Sequence, residues 1–149
     1  MTDSIKILRI QYENIPLFHD GCFEFSFLAE DRVSDPAQVF QLRKNLYTQK
    51  LTALVGINAS GKTSVLKLIY LTISIVLARG SLNTLVYDKS LLRDETKITI
   101  DFCHGDSCYE LHSIIGKRAP SRSTGTELYF KEEQLFKKPL ASIKSKKDA

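Results

Sequence analysis

Cysteine is scarce in this chain. Its 149 residues hold three, Cys22, Cys103 and Cys108, with no C-x-x-C spacing, which excludes a disulfide-built scaffold and a C-x-x-C zinc or redox motif. The count is odd and no signal-peptide pattern opens the chain, so the expected setting is a reducing cytoplasm with free thiols. Long apolar runs are also missing. The most apolar stretch, residues 65–78, is interrupted by Lys67, Thr72 and Ser74; it is too short for a membrane span and reads as a buried helix. Charge of one sign is not concentrated in the body. The formal net charge is +4, and Lys137, Lys138, Lys144, Lys146 and Lys147 supply much of it against one late acid, Asp148. A near-neutral body gives no argument for nucleic acid; the basic tail, residues 137–149, could touch one but reads as a solvated or truncated end. There is no Ser-His-Asp arrangement, no paired acid and no Asn-Lys-x-Asp guanine-reading motif.

Against these absences stands one strong motif. Gly56-Ile57-Asn58-Ala59-Ser60-Gly61-Lys62-Thr63 fits G-x-x-x-x-G-K-[ST], the phosphate-binding P-loop. Chance produces the pattern in roughly one chain of this length in 200. Its surroundings suit it: residues 51–55 form a short apolar run of strand type, and residues 63–78 run without Gly or Pro and read as a helix ending near Arg79-Gly80. A triphosphate concentrates negative charge in a small volume. Gly56 and Gly61 let the backbone turn its N–H groups inward, and the helix start adds unpaired N–H groups. Lys62 is expected to reach the β- and γ-phosphates and Thr63 to ligate Mg²⁺; Asn58, Ala59 and Ser60 complete the loop, and Ser64 adds a hydroxyl near the α-phosphate.

The rest of the chain reads as mostly β. Residues 5–11 suggest a first strand. Residues 22–27 alternate Phe23, Phe25 and Phe27 on one face and are expected to pair with it as a hairpin. Residues 37–46 suggest a short helix. Ile98, Ile100 and Phe102, then Tyr109 and Leu111, mark a second hairpin with a two-residue Gly105-Asp106 turn of type II′. That register sets Cys103 opposite Cys108, and Asp101 opposite Glu110 as a defect. Residues 127–131 predict another strand, and Leu135-Phe136 part of one more.

Three weaker candidates are weighed on geometry. Cys103, His104, Cys108 and His112 invite a metal, but the hairpin register leaves His112 about 13 Å along the strand and turns His104 to the other face. Asp88 ends the short apolar run Leu85-Val86-Tyr87 in the manner of a Mg²⁺-holding aspartate, yet Lys89 follows it, and a turn aspartate is the favoured reading. Arg118 and Arg122 could serve as phosphate ligands, with a solvated basic loop as the plainer alternative.

The P-loop reading G-x-N-[GA]-[SA]-G-K-[ST], met by Asn58, Ala59 and Ser60, and the order of first hairpin, P-loop, apolar helix and antiparallel strands resemble the N-terminal half of an ABC-type ATPase head. The chain looks most like the SMC/RecF/OLD group and related prokaryotic "AAA family" ATPases of defence and DNA-related systems. The opening residues 5–14 are similar to the first strand of that group and its turn, although Tyr12-Glu13-Asn14 departs from the group's Asn-Phe-basic pattern. The resemblance covers residues 4–136. It implies ATP and Mg²⁺ as ligands, and hydrolysis between two heads, one supplying an acidic strand end and the other a Ser-Gly-Gly-type signature. No Ser-Gly-Gly occurs here, and no apolar strand pattern ends in Asp-Glu.

The sequence therefore predicts an α+β protein with an α/β P-loop core: residues 1–136 form a P-loop lobe in which a mixed sheet wraps the helix, beside an antiparallel β region. The function expected is ATP and Mg²⁺ binding, incomplete for hydrolysis without a second head or a C-terminal lobe. The alternatives are a small P-loop kinase and a non-catalytic interaction module that keeps the fold.

Overall fold

The alternation in residues 5–13 builds strand β1 (Lys6–Glu13), which pairs antiparallel with β2 (Cys22–Ser26) through the expected hairpin. The structure, a computed structural model, describes residues 4–29, 35–56, 61–86, 88–119 and 125–143. The second hairpin is longer than its alternation suggested: β5 (Thr96–His104) and β6 (Ser107–Arg118) flank the Gly105-Asp106 turn, where Gly105 takes φ +57°. Cys103 faces Cys108 and Asp101 faces Glu110, as the turn type required. The last two predicted strands are one: β7 (Glu127–Pro139) pairs with β6 along its whole length.

These strands form one sheet in the order β2-β1-β5-β6-β7, and every pairing in it is antiparallel. The expected mixed sheet with an α/β P-loop core is thereby corrected: among the described residues there is no parallel pair, and the fold is α+β, a five-stranded antiparallel sheet plus a hairpin. The reason lies in residues 51–55. They were expected to be a short strand before the P-loop, but among the described residues they have no ladder partner and take no regular structure, and Leu51 and Val55 stand 86% and 93% exposed. An apolar run becomes a strand only where a neighbour accepts its backbone hydrogen bonds.

The short helix expected at residues 37–46 is also corrected. A 3₁₀ turn at Pro36–Gln38 leads into β3 (Val39–Arg43) and β4 (Leu46–Gln49), a hairpin held on the sheet by Ala29 N–H to Tyr47 O and Gln49 N–H to Phe27 O, both 2.9 Å. The pattern failed because Val39, Phe40 and Leu42 fit a strand as readily as one helical turn.

Helix α1 (Lys62–Val76) packs on one face of the sheet. Leu68 and Leu71 meet Ile10, Tyr12, Ile98, Ile100, Ile115 and Leu128 in the main core. A bulge between Ile7 and Arg9 lets Ile7 and Ile10 both join this core. It turns Leu8 to the opposite face, into a second cluster with Leu28, Leu46, Cys103 and Cys108 beneath the β3–β4 hairpin. The expected free thiols at Cys103 and Cys108 are replaced by a disulfide, and only Cys22 remains free and exposed.

Tyr12 fixes the helix. Its side chain is fully buried; its hydroxyl donates to Leu68 O at 3.1 Å and lies 2.9 Å from the Thr72 hydroxyl, which itself donates to Leu68 O. Burial drives the phenol far above its usual range. On the other sheet face, Lys138 of β7 resolves the Asp101–Glu110 defect. Its ammonium bonds Glu110 and lies 3.7 Å from Asp101. Burial still holds the Asp101 carboxyl above its ordinary range, while hydrogen bonds from Lys138 and His112 outweigh burial and hold Glu110 below.

Tyr12→Phe should lower the unfolding free energy by about 1–2 kcal/mol in urea titration, since the Thr72 hydroxyl loses its buried partner. Asp101 gives a pH signature. Its native proton affinity exceeds the unfolded one, so stability falls as pH rises from about 4, where the unfolded carboxyl ionises first. Asp101→Asn should remove that fall and be the more stable protein at pH 7; equal pH slopes in the two proteins would refute the assignment.

Candidate functional site

The two ends of the glycine loop lie within the described residues, and residues 57–60 lie outside them, so Asn58, Ala59 and Ser60 carry no geometry here. Gly56 closes the exposed segment 51–56. Gly61 sits at φ +85°, ψ 6°, the left-handed region, and its carbonyl takes the first helical bond, from Val65 N–H at 3.0 Å. Lys62 is the first residue of α1, and its ammonium donates to Gly56 O at 2.7 Å, joining the ends of the loop. Thr63 and Ser64 follow on the first turn, Thr63 exposed. No side chain caps this helix start among the described residues, and no acid lies in its first turn. The first-turn N–H groups of a helix have no intrahelical acceptors, and they and its partial positive charge face the loop side.

A groove of about 330 Å³ runs from this turn along the outer side of α1, lined by Thr63, Leu66, Tyr70, Leu85, Asp88 and Leu91 among others. Its far wall comes from the single-turn helix α2 (Leu82–Leu85) and a 3₁₀ turn at Lys89–Leu91. The structure thus brings Thr63 and Asp88 to one cavity, which spacing alone could not show. Asp88 is nonetheless a turn aspartate: it caps Ser90 N–H at 3.1 Å, bonds the Ser90 hydroxyl and lies 3.8 Å from Lys67. Those Ser90 bonds hold its carboxyl below the ordinary range.

Helix α1 is not the fully buried helix that its composition suggested. Leu66 and Tyr70 are 55% and 56% exposed on the side away from the sheet. A helix apolar on all sides is one that expects cover on all sides. Arg118 is paired with Glu127 at 2.7 Å and stacks on Tyr129, and Arg122 lies outside the described residues. His112 bonds Glu110 at 2.6 Å, away from Cys103 and Cys108, and among the described residues no three His, Cys, Asp or Glu side chains are grouped to hold a metal. No helix in the described residues is long and apolar enough to cross a membrane.

Compared with known proteins, the chain matches no family model, no curated protein and no solved structure.

The left-handed backbone at Gly61 gives a test. Among the described residues a Cβ there would meet nothing within 4 Å, so the expected cost of Gly61→Ala is that of the left-handed backbone, about 1–2 kcal/mol in chemical denaturation. Gly61→Asn, which tolerates that region, should recover part of it.

Proposed function

We propose that residues 56–64 bind the phosphates of ATP with Mg²⁺, and that the chain is the ATP-binding lobe of an ABC-type ATPase of the DNA-related or defence kind. The observation that carries this reading is the Lys62 ammonium bonded across the loop mouth to Gly56 O, 2.7 Å away. A charged phosphate oxygen is a stronger partner for an ammonium at that place than a neutral carbonyl is. The uncapped helix start beside it adds N–H donors, and the exposed Thr63 hydroxyl is a hard oxygen ligand suited to Mg²⁺. Bound Mg²⁺ would offset the charge of the β- and γ-phosphates.

Hydrolysis needs more than a cradle. A residue must orient water at the γ-phosphate, and donors must meet the charge that develops there. Asp88 shares the groove with Thr63 but is taken up by Ser90 and Lys67. We assign the missing acid and signature to a second ATPase head or a C-terminal lobe. Exposure of Leu51, Val55, Leu66 and Tyr70 around the motif supports a protein surface that covers this side.

The test is ligand-linked stability. ATP with Mg²⁺ at about a hundred times its dissociation constant should stabilise the chain by about 2.7 kcal/mol, read by thermal shift and calorimetry, and Lys62→Ala should abolish the gain. The isolated chain should turn over ATP very slowly or not at all. Absence of any ATP-dependent shift sinks the binding site. Brisk turnover abolished by Lys62→Ala sinks the incomplete lobe.

A further inference from the structure

Strand β7 ends the sheet, and its outer edge is treated in two ways. Near its start the edge is closed by a side chain: Asn83 Nδ2 donates to Leu128 O at 3.0 Å and Leu128 N–H donates to Asn83 Oδ1 at 2.8 Å. From Glu132 to Lys138 nothing among the described residues pairs with it. Leu135 and Phe136 are 59% and 45% exposed there.

The backbone of this stretch has a definite orientation. The two-residue turn at Gly105-Asp106 makes His104 and Ser107 a hydrogen-bonded pair, so Tyr109, Leu111 and Ser113 also direct their N–H and C=O groups to β5. Their partners on β7 are Lys137, Leu135 and Glu133. Those three residues consequently aim their backbone groups out of the sheet. The stretch is bounded on both sides. A bulge leaves Lys131 unopposed, and Pro139 has no N–H to offer. The midpoint between Glu132 and Lys138 is Leu135.

We propose that this edge is a dimer interface: β7 of one chain pairs with β7 of a second copy, antiparallel about a two-fold axis at Leu135, joining the two sheets into one. A two-fold edge pairing can only match outward residues with outward residues, so registers move in steps that keep this parity. The register centred on Leu135 sets Glu133 opposite Lys137 and Glu132 opposite Lys138, each twice, with Gln134 beside Phe136 and Leu135 against its own copy. Centring on Gln134 would set Lys131 opposite Lys137, and centring on Glu133 would set that acid against itself. Centring on Phe136 leaves Lys137 and Lys138 opposite Leu135 and Gln134. Lysines on an edge normally deter pairing. Here the register centred on Leu135 is the one of these that gives both lysines a glutamate. Lys138 already serves Glu110 and approaches Asp101, so Glu133–Lys137 is the deciding pair.

Sedimentation equilibrium on the full chain should show a monomer–dimer equilibrium. Lys137→Glu sets acid against acid twice and should weaken the dimer by about tenfold or more. The charge swap Glu133→Lys with Lys137→Glu should restore it. Position is read by oxidation in a Cys22→Ser background: Leu135→Cys should cross-link to its own copy across the axis, whereas Glu132→Cys, six residues out of register with itself, should not. A monomer at all concentrations, a dimer indifferent to Lys137→Glu, or cross-linking through position 132 in place of 135 would each overturn the proposal.

Discussion

The seating of α1 on the sheet through Tyr12 is the constraint on which the remaining geometry rests. Its hydroxyl meets the Leu68 carbonyl and the Thr72 hydroxyl inside the core, on a side chain that is fully buried. A buried phenol without partners would be costly, so this contact sets both the rotation and the translation of the helix. The helix in turn carries Lys62, Thr63 and Ser64 on its first turn. The position of Lys62, Thr63 and Ser64 is therefore decided further along the helix, at Leu68 and Thr72.

The same sheet divides its faces by chemistry. Apolar residues of β1, β5 and β6 meet the helix; the opposite face holds the Cys103–Cys108 disulfide and Leu8 at one end and the Asp101, Glu110 and Lys138 cluster next to it. Placing two carboxylates directly across a strand pair is unfavourable by itself. It becomes tenable because β7 continues far enough to bring Lys138 over both. The length of β7 thus serves the interior of the charge cluster and also presents the free edge beyond it.

Much of this was legible from particular residues. Gly105-Asp106 between two alternating runs determined the register of β5 and β6, and with it the Cys103–Cys108 and Asp101–Glu110 pairs. Phe23 and Phe25 marked β2 by period alone. Residues 37–46 were misread because a few apolar residues beside polar ones satisfy both periods over so short a span. Residues 51–55 were misread for a different reason. Their composition is that of a strand, but pairing is a property of neighbours, and the described chain offers none. Lys138 was assigned to the tail by its charge, although it lies on β7 and its role is set by strands 28 and 37 residues earlier in the chain.

By itself the sequence determined the helix that starts at Lys62 and the two hairpins. These depend on contacts between near neighbours, which spacing encodes directly. Only the tertiary structure decided that every strand pairing is antiparallel, that the run before the loop stays exposed, that Thr63 and Asp88 line one groove, and which β7 residues turn their backbone outward. Each of those depends on residues far apart in the chain competing for the same hydrogen bonds, and the outcome of that competition is not written in any local pattern.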